Sequence, residues 1–242
     1  MVNLGIALLA VVVGYVFGAI SFARIVARWA VPGEDISSTT FDVPGVEAKM
    51  VMYSVSATSL STRKGPKVGC LVGILDMLKA AVPMLIFRYA FPGQPYDLFA
   101  AFFAVVGHNF PVQHNFKGGR GLSPIMGSLF VIDWLSIPFA MVVGNLFGLV
   151  VLRDVLAAYV GFVVLQIPWM WYRFGDFWHV AYAFAVTALF IVSMRPELKQ
   201  YMAIKRDGTM DDMDMWKTLE HTDMGRPIKY LKKYGLFRGK ES

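Results

Sequence analysis

The residues best suited to chemistry lie in one glycine-rich basic segment between two apolar runs. Gly107–Pro111 reads GHNFP, and Phe116–Gly121 reads FKGGRG. Glycine allows backbone N–H groups to converge on a ligand, while Lys117 and Arg120 supply positive charge. A helix that begins at Leu122 would add the positive end of its dipole. These features suit a phosphate-binding site.

The expected contacts of this site follow from the residue types. Lys117 and Arg120 are the side chains that we expect to contact phosphate directly. The backbone N–H groups of Gly118, Gly119 and Gly121 are expected to complete the cradle. The alternative is a flexible loop that carries the basic residues usual on the cytoplasmic side of a membrane.

A second anion site is suggested by a basic stretch earlier in the chain. A polar segment contains Thr58, Ser59, Arg63 and Lys64, which would suit the binding of a second anionic group. An ordinary basic cytoplasmic loop is the alternative explanation.

Two ionisable residues lie inside an apolar run. Asp76 and Lys79 are three residues apart, so a helix would place them on one face. Ionisable groups are costly within a membrane and are usually paired or functional. A structural ion pair and a direct role in the site are both compatible with this spacing.

The chain that carries these residues has the composition of a membrane protein. Of its 242 residues, 56% are hydrophobic and only 17% are charged, which is far from the balance of a soluble domain. The net charge of +6 is carried by loops, where basic residues set topology and meet anionic headgroups or substrates. Nucleic acid is therefore not expected as a partner. The single cysteine, Cys70, excludes an intramolecular disulfide and a multi-cysteine metal site, and we expect it to be buried.

The elements that must position the candidate residues are transmembrane helices. A span across a bilayer core about 30 Å thick needs roughly 20 mostly apolar residues. The apolar runs predict an all-α membrane helix bundle of about seven transmembrane helices. The fourth run is short, which indicates a tilted, broken or re-entrant helix and leaves six spans as the alternative. The runs are Leu4–Arg28, Val68–Phe87, Tyr96–Val112, Leu122–Ile132, Leu135–Leu152, Val155–Tyr172 and Phe177–Met194.

The distribution of basic residues predicts the orientation of the bundle. Val31–Lys67 and the loop with Lys117 and Arg120 are basic, whereas the loop between them holds only Arg88. By the positive-inside rule, the odd-numbered loops are cytoplasmic and the N-terminus is external. The segment after Met194 is also basic, and an odd number of spans places it in the cytoplasm as well. This agreement favours seven spans over six.

Two domains follow from this topology. Residues 1–194 would form the transmembrane bundle, including a loop at Pro32–Met50 that is rich in turn-forming residues and lies outside the hydrocarbon. Residues 195–242 would form a cytoplasmic basic tail. Within it, Ile228–Arg238 mixes basic with aromatic and aliphatic residues, which suits an amphipathic segment on an anionic membrane surface. A merely solvated tail is the alternative.

The glycine-rich segment resembles the second motif of the bacterial acyl-phosphate:glycerol-3-phosphate acyltransferases. That motif has the pattern G-H-x-F-P, a short spacer and F-K-G-G-K-G, and here Arg120 replaces the second lysine. Leu75–Lys79 and the Gly18–Phe22 segment, similar to a G-S-I-P-F opening, extend the resemblance, which covers the chain to about Met202. It implies motif loops gathered on the cytoplasmic side of a seven-helix bundle, with His108 at the active site.

The other motifs of that family are degraded in this chain. Where the family has G-S-G-N-x-G-A-T-N, Val51–Ser59 keeps only the Ala-Thr pair, and Thr39–Lys49 looks inserted. The third motif, an R-H-x-x-N-I-like run, is matched only weakly by Met194–Leu198, which lacks the histidine and the asparagine. Residues of at least two motifs are therefore absent or replaced.

The resemblance implies an enzyme of phospholipid synthesis in the cell membrane. It would transfer an acyl group from acyl phosphate to the 1-hydroxyl of glycerol 3-phosphate, giving lysophosphatidic acid and phosphate, without a metal or coenzyme. A catalytically degenerate relative that binds a lipid phosphate or a partner protein is the alternative; neither reading predicts an oligomeric state. The catalytic residues would be His108, Lys117 and Arg120, and the substrate phosphate would contact Gly118, Gly119, Gly121, Thr58 and Arg63.

Overall fold

The computed structural model describes residues 2–42, 49–152 and 154–206. Most of them are helical, as the sequence predicts. The helices are α1 (Leu4–Ala19), α2 (Phe22–Ala30), α3 (Ala57–Lys64), α4 (Pro66–Ala90), α5 (Tyr96–Asn109), α6 (Leu122–Asp133), α7 (Ser136–Asn145), α8 (Val155–Val164), α9 (Gln166–Phe174), α10 (Phe177–Ser193) and α11 (Arg195–Arg206). A 3-10 turn covers Val112–His114, and a π-helical segment covers Leu146–Val151.

Each predicted span contains at least one helix, but the count of seven transmembrane helices is not confirmed. Leu4–Ala30, which joins α1 and α2, and Pro66–Ala90 are long and apolar enough to cross a membrane. Counting α10 and α11 together gives a third among the described residues. The remaining apolar helices are shorter than a full span, because turns or π-helical geometry interrupt the runs that the sequence presents as continuous.

The ends of several helices are set by their own flanking residues. The side chain of Asn3 accepts hydrogen bonds from the first turn of α1, and Asp176 does the same for α10. Asp154 accepts a hydrogen bond from the N–H of Ala157 at the start of α8. Each side chain satisfies a backbone donor that the helix itself leaves unpaired. Gly175, with φ of +64°, ends α9 in a left-handed conformation that glycine adopts without strain.

Residues 2–39 and 53–195 form one compact unit. Within it, α1 packs along α5 through small residues. A Cβ atom on Gly14 would overlap the carbonyl of Ala100, and one on Gly18 would overlap the carbonyl of Ala104. Such close approach of two backbones is the usual means of helix association in a membrane. It fixes the C-terminal end of α5, which carries His108.

The second unit contains the described residues of 40–52 and 196–206. The strands β1 (Thr39–Asp42) and β2 (Lys49–Met52) pair in a two-stranded sheet. The side-chain amide of Gln200 on α11 both donates to and accepts from the backbone of Val51, at 2.9 Å each. It thereby satisfies a strand edge that would otherwise need another partner.

The loop predicted at Pro32–Met50 contains β1 and the first residues of β2. The expectation that Cys70 is buried is wrong, because Cys70 is exposed on α4. The predicted amphipathic segment at Ile228–Arg238 lies outside the described residues.

Candidate active site

The site begins at the break between α1 and α2. Ile20 leaves the helical conformation, with ψ of +114°, so carbonyl groups at the end of α1 lose their helical partners. The Lys79 ammonium donates to the carbonyl of Ile20 at 2.8 Å, and the Gln113 side chain donates to the carbonyl of Ala19 at 2.6 Å. Two side chains from other elements therefore satisfy a break that would be costly within a membrane.

A buried ion pair lies next to this break. Nζ of Lys79 is 2.9 Å from Oδ1 of Asp76, and each side chain is only 2% exposed. The Nδ1 atom of His108 lies 3.7 Å from the same oxygen. The structure thus shows Asp76 and Lys79 as partners and brings His108 to them. Because a buried charge needs its partner, this cluster holds α4, α5 and the end of α1 in a fixed relation.

The glycine-rich segment folds back over His108. The Tyr15 hydroxyl donates to the carbonyl of Phe110 at 2.8 Å, which anchors the chain as it leaves α5. Asn115 and Phe116 both adopt positive φ values, +51° and +59°, and reverse its direction. The N–H of Gly119 then donates to the carbonyl of His108 at 3.0 Å. The loop is therefore closed onto the end of the helix from which it started.

Side chains are excluded from the inner surface of this loop. A Cβ atom on Gly118 would overlap the carbonyl of His108, and one on Gly119 would overlap the imidazole ring of His108. Gly121 has φ of +90°, and a Cβ atom there would lie 2.8 Å from Oδ1 of Asn109. All three glycines are thus required by space or conformation. The FKGGRG pattern is explained by this packing as well as by any ligand.

The outer surface of the loop forms one wall of a cleft of about 340 Å³. Lys117 and Arg120 both line this cleft, as do Gly118 and Gly119. His108 is not among the described residues that line it: the ring lines a separate, much smaller cavity with Asp76 and Lys79, next to Gly119. The two cations that the sequence singles out therefore share one concave surface. The other lining residues are Ser37, Tyr53, Val55, Asn109, Phe110, Phe116 and Ser193.

The backbone of the segment before α3 is tied to this loop. Nη2 of Arg120 donates to the carbonyl of Tyr53 at 2.9 Å, and the N–H of Val55 donates to the carbonyl of Gly118 at 3.0 Å. The carbonyl of Lys117 accepts a hydrogen bond of 2.7 Å from Nη2 of Arg24. These contacts hold the cleft wall in place and fix the direction of the Arg120 guanidinium.

A carboxylate moderates the positive charge of the cleft. Hydrogen bonds from the backbone N–H and the hydroxyl of Ser37 lower the pKa of Asp35, and the charges of Arg63 and Lys117 lower it further. Asp35 is therefore ionised at neutral pH. An anionic ligand at Lys117 would experience both the ammonium and this nearby negative charge.

Thr58 and Arg63 are placed differently from the expectation. Thr58 is exposed on α3, and neither residue is among the described residues that line the cleft. The Arg63 guanidinium donates to the carbonyls of Ser38 and Asp35, at 2.6 and 3.0 Å, and to the hydroxyl of Thr39. Arg63 thus holds the segment that follows α2, in the manner of a structural clamp.

Three residues of the site were not singled out by the sequence. Ser193, in the last turn of α10, accepts a 2.7 Å hydrogen bond from the Asn109 amide, and both line the cleft. Arg24 supports the loop through the Lys117 carbonyl. Asn109 is part of the GHNFP pattern, so the sequence did point to its neighbourhood. Ser193 and Arg24 gave no signal, because a serine or an arginine near a helix end is common.

This arrangement is suited to holding anions. Its cations come from a loop whose backbone is fixed on both sides, so little reorganisation is needed when a charged ligand binds. In the part of the chain that the structure describes, no group of three or more His, Cys, Asp or Glu side chains is placed to hold a metal ion.

Comparison with known proteins gives a consistent result. A family model described as "Glycerol-3-phosphate acyltransferase" matches residues 8–204. A protein named glycerol-3-phosphate acyltransferase in Rhizobium etli (strain CIAT 652) is 35% identical over 159 residues, which is 62% of this chain and 71% of that protein. A glycerol-3-phosphate acyltransferase 1 of Oceanobacillus iheyensis is 26% identical and covers 81% of this chain and 90% of its own length.

Solved structures agree with the sequence matches. The crystal structure of PlsY (YgiH), an integral membrane glycerol 3-phosphate acyltransferase in its glycerol 3-phosphate form, superposes with a TM-score of 0.65 and 25% identity. The match covers 81% of this chain and 92% of that one. The lysophosphatidic acid form of the same protein gives the same values.

Proposed function

Because the chain belongs to the glycerol-3-phosphate acyltransferase family, we propose that it acylates glycerol 3-phosphate with acyl phosphate as the donor. The observation that carries this proposal is the shared cleft of Lys117 and Arg120, walled by a glycine loop that is fixed against His108. The products are lysophosphatidic acid and inorganic phosphate. The enzyme would be an integral membrane protein, as the protein in the matched structures is.

The reaction requires two phosphate-bearing molecules to lie side by side. The 1-hydroxyl oxygen of glycerol 3-phosphate attacks the acyl carbonyl carbon, the bond from that carbon to the phosphate oxygen breaks, and the hydroxyl proton passes to a phosphate. Holding the reactants in this geometry supplies much of the rate enhancement. Positive charge beside the carbonyl and the leaving phosphate supplies the rest. The proposal needs no protein base, since phosphate takes the proton.

Lys117 and Arg120 are proposed as the phosphate ligands. Lys117 is an exposed residue on the cleft wall, and Arg120 is held there by its bond to Tyr53. The described residues supply no acceptor for the N–H group of Gly118, which lines the cleft and is proposed to donate to a phosphate. Gly121 is buried and is not among the described residues that line the cleft, so it is assigned no phosphate contact. The N–H of Gly119 is used within the loop, and this glycine contributes by its lack of a side chain.

His108 is proposed to act through the loop. Its ring packs behind Gly119, away from the main cleft, and its Nδ1 atom faces Asp76. Loss of the ring would leave the loop without its support. We likewise assign Arg63 an indirect part, because its guanidinium holds the segment at Ser38. Thr58 is assigned no contact, because it is exposed on α3 and is not among the described residues that line the cleft.

The finer topology is part of the proposal. Seven spans, an external N-terminus and a cytoplasmic site in the cell membrane follow from the basic loops. The N–H of Asn3 donates to the Tyr96 hydroxyl at 2.6 Å, which supports placing the start of α1 and the start of α5 on the same side. The site residues lie at the opposite ends of these helices, and residues 195–242 would share their side. The acyl chain would enter between helices from the bilayer.

The test is lysophosphatidic acid formation by the full chain in lipid, with acyl phosphate and radiolabelled glycerol 3-phosphate. Losing one charge-assisted contact of about 1.5–3 kcal/mol should lower kcat/KM about 10- to 150-fold in Lys117→Ala and in Arg120→Ala. Lys64→Ala, which removes an exposed cation from α3, is the matched control and should leave the rate unchanged. Equal rates in all four proteins would contradict the assignment.

A further inference from the structure

The short helix α2 presents three different faces. Ala23 and Ala27 are buried and pack into a core with Leu60. Ile25 and Trp29 lie one turn apart on the outward side, 45% and 84% exposed. Arg24 and Arg28 lie one turn apart between these two faces. A cationic stripe beside an exposed apolar stripe suits the membrane interface, where headgroups meet acyl chains.

The preceding helix places α2 at that depth. The sixteen residues of α1 rise about 24 Å, most of a hydrocarbon core about 30 Å thick. The helix then ends, and the freed carbonyl of Ile20 is satisfied by Lys79. Because Leu4–Ala30 as a whole is long enough to cross the core, the end of α2, with Arg28 and Trp29, reaches the interfacial region. Tryptophan with arginine at this level is a frequent anchor, because the indole ring and the arginine stem are apolar while their polar ends face headgroups.

The cationic stripe faces the turn that precedes the glycine loop. Arg24 donates to the carbonyl of Lys117 at 2.7 Å and to the Ser21 hydroxyl at 3.2 Å. Burial lowers the pKa of His114 in this turn, and the charges of Arg24 and Arg28 lower it further, so His114 is neutral. A neutral ring adds no further positive charge beside the stripe of Arg24 and Arg28. For the exposed Arg28, the described residues supply no hydrogen-bond acceptor or ion-pair partner.

We propose that Arg28, beside Trp29 and the Val112–His114 turn, binds the headgroup of an anionic phospholipid at the edge of the catalytic loop. The charge complementarity is direct, and the exposed indole and Ile25 give the acyl part of the lipid an apolar surface next to the cation. A soluble phosphate would gain nothing from that surface. This inference goes beyond acyl transfer and does not depend on it.

The test is a titration of the full chain in neutral detergent with phosphatidylglycerol and, in parallel, phosphatidylcholine, followed by native mass spectrometry. Arg28→Gln should bind phosphatidylglycerol about fivefold more weakly, as expected for one arginine at an anionic surface. Arg28→Lys keeps the charge and should retain most of the affinity. Lys64→Gln is the matched control for a general loss of charge and should bind like the wild type.

Each outcome is informative. Weaker phosphatidylglycerol binding in Arg28→Gln alone, with phosphatidylcholine binding unchanged, supports the site. Equally weaker phosphatidylglycerol binding in Arg28→Gln and Lys64→Gln would show that overall charge sets the affinity, and it would overturn the proposed site. Displacement of phosphatidylglycerol by glycerol 3-phosphate would also overturn it, because the cation would then belong to the substrate site. None of these results requires turnover, so failure of the proposed acyl transfer would be seen separately.

Discussion

The contact between Gly119 and His108 gives the sharpest prediction about the loop. An alanine Cβ atom at position 119 would overlap the imidazole ring. That ring cannot withdraw easily, since it is 7% exposed and its other edge faces Asp76. The loop must therefore move outward in Gly119→Ala, and it would carry Lys117 and Arg120 with it.

The size of the effect follows from packing and positioning. Overpacking a filled interior costs about 1–3 kcal/mol of folding free energy. A displacement of about 1 Å in a positioning group lowers the rate about 100-fold. We therefore expect Gly119→Ala to remain folded while its acyl transfer falls by about two orders of magnitude.

The assay is lysophosphatidic acid formation, with thermal unfolding in the same detergent as the measure of stability. Gly73→Ala is the matched control, because its Cβ atom would lie 3.8 Å from Ala57 and 3.9 Å from Ser123, at ordinary contact distances. It should keep full activity and gain about 0.5–1 kcal/mol of helix stability. Wild-type activity in Gly119→Ala would refute the view that the ring sets the loop position.

Three other changes test separate parts of the structure. Lys79→Met should destabilise the chain by about 3–5 kcal/mol in thermal unfolding because it leaves the Asp76 carboxylate buried without its partner; adding Asp76→Asn should recover most of the loss. Arg63→Gln should leave KM for glycerol 3-phosphate within about twofold of the wild type and increase proteolysis of the clamped segment, whereas a large KM increase alone would show direct substrate contact. Asp176→Ala should cost about 0.5–2 kcal/mol as a lost helix cap. Burial acts to raise the pKa of Asp176, but hydrogen bonds from His179 and the adjacent backbone lower it overall. Its contribution should therefore be present above the ordinary value of 3.8 and be lost in unfolding measured at lower pH, as the folded-state pKa is passed.

The part of the site that sequence could predict is the part encoded locally. The FKGGRG run contains its own glycines and cations, and the α6 start follows directly from Gly121. The spacing of Asp76 and Lys79 likewise predicted one helical face, and the structure shows them paired. Apolar runs predicted where helices form, because the pattern of apolar residues that favours a helix is a property of the local sequence.

The remaining features depend on contacts between distant residues. Nothing local to Arg63 indicates that it meets the carbonyls of Asp35 and Ser38, which lie 28 and 25 residues earlier. The hydrogen bond between Ser193 and Asn109 joins the ends of α10 and α5. No periodicity in the sequence predicts that these two helix ends meet. The breaks that shorten several helices are also tertiary, since partners such as Lys79 make a broken backbone tolerable.

The structure shows how a segment with a degraded family motif still contributes to the site. The segment that keeps only an Ala-Thr pair still reaches the site, but through backbone groups: the carbonyl of Tyr53 and the N–H of Val55. Backbone groups are present whatever the side chain, so this wall of the cleft survives changes in sequence. The positive charge is concentrated on Lys117 and Arg120, supported by Arg24.

The central claim is tested most directly by comparing acyl donors with the wild-type chain. Purified protein in lipid is given radiolabelled glycerol 3-phosphate with acyl phosphate, acyl-CoA or acyl carrier protein, and lysophosphatidic acid is measured. We predict product with acyl phosphate and release of one inorganic phosphate for each lysophosphatidic acid formed. Binding of glycerol 3-phosphate without product from any of the three donors would contradict the claim and identify a catalytically degenerate binding protein.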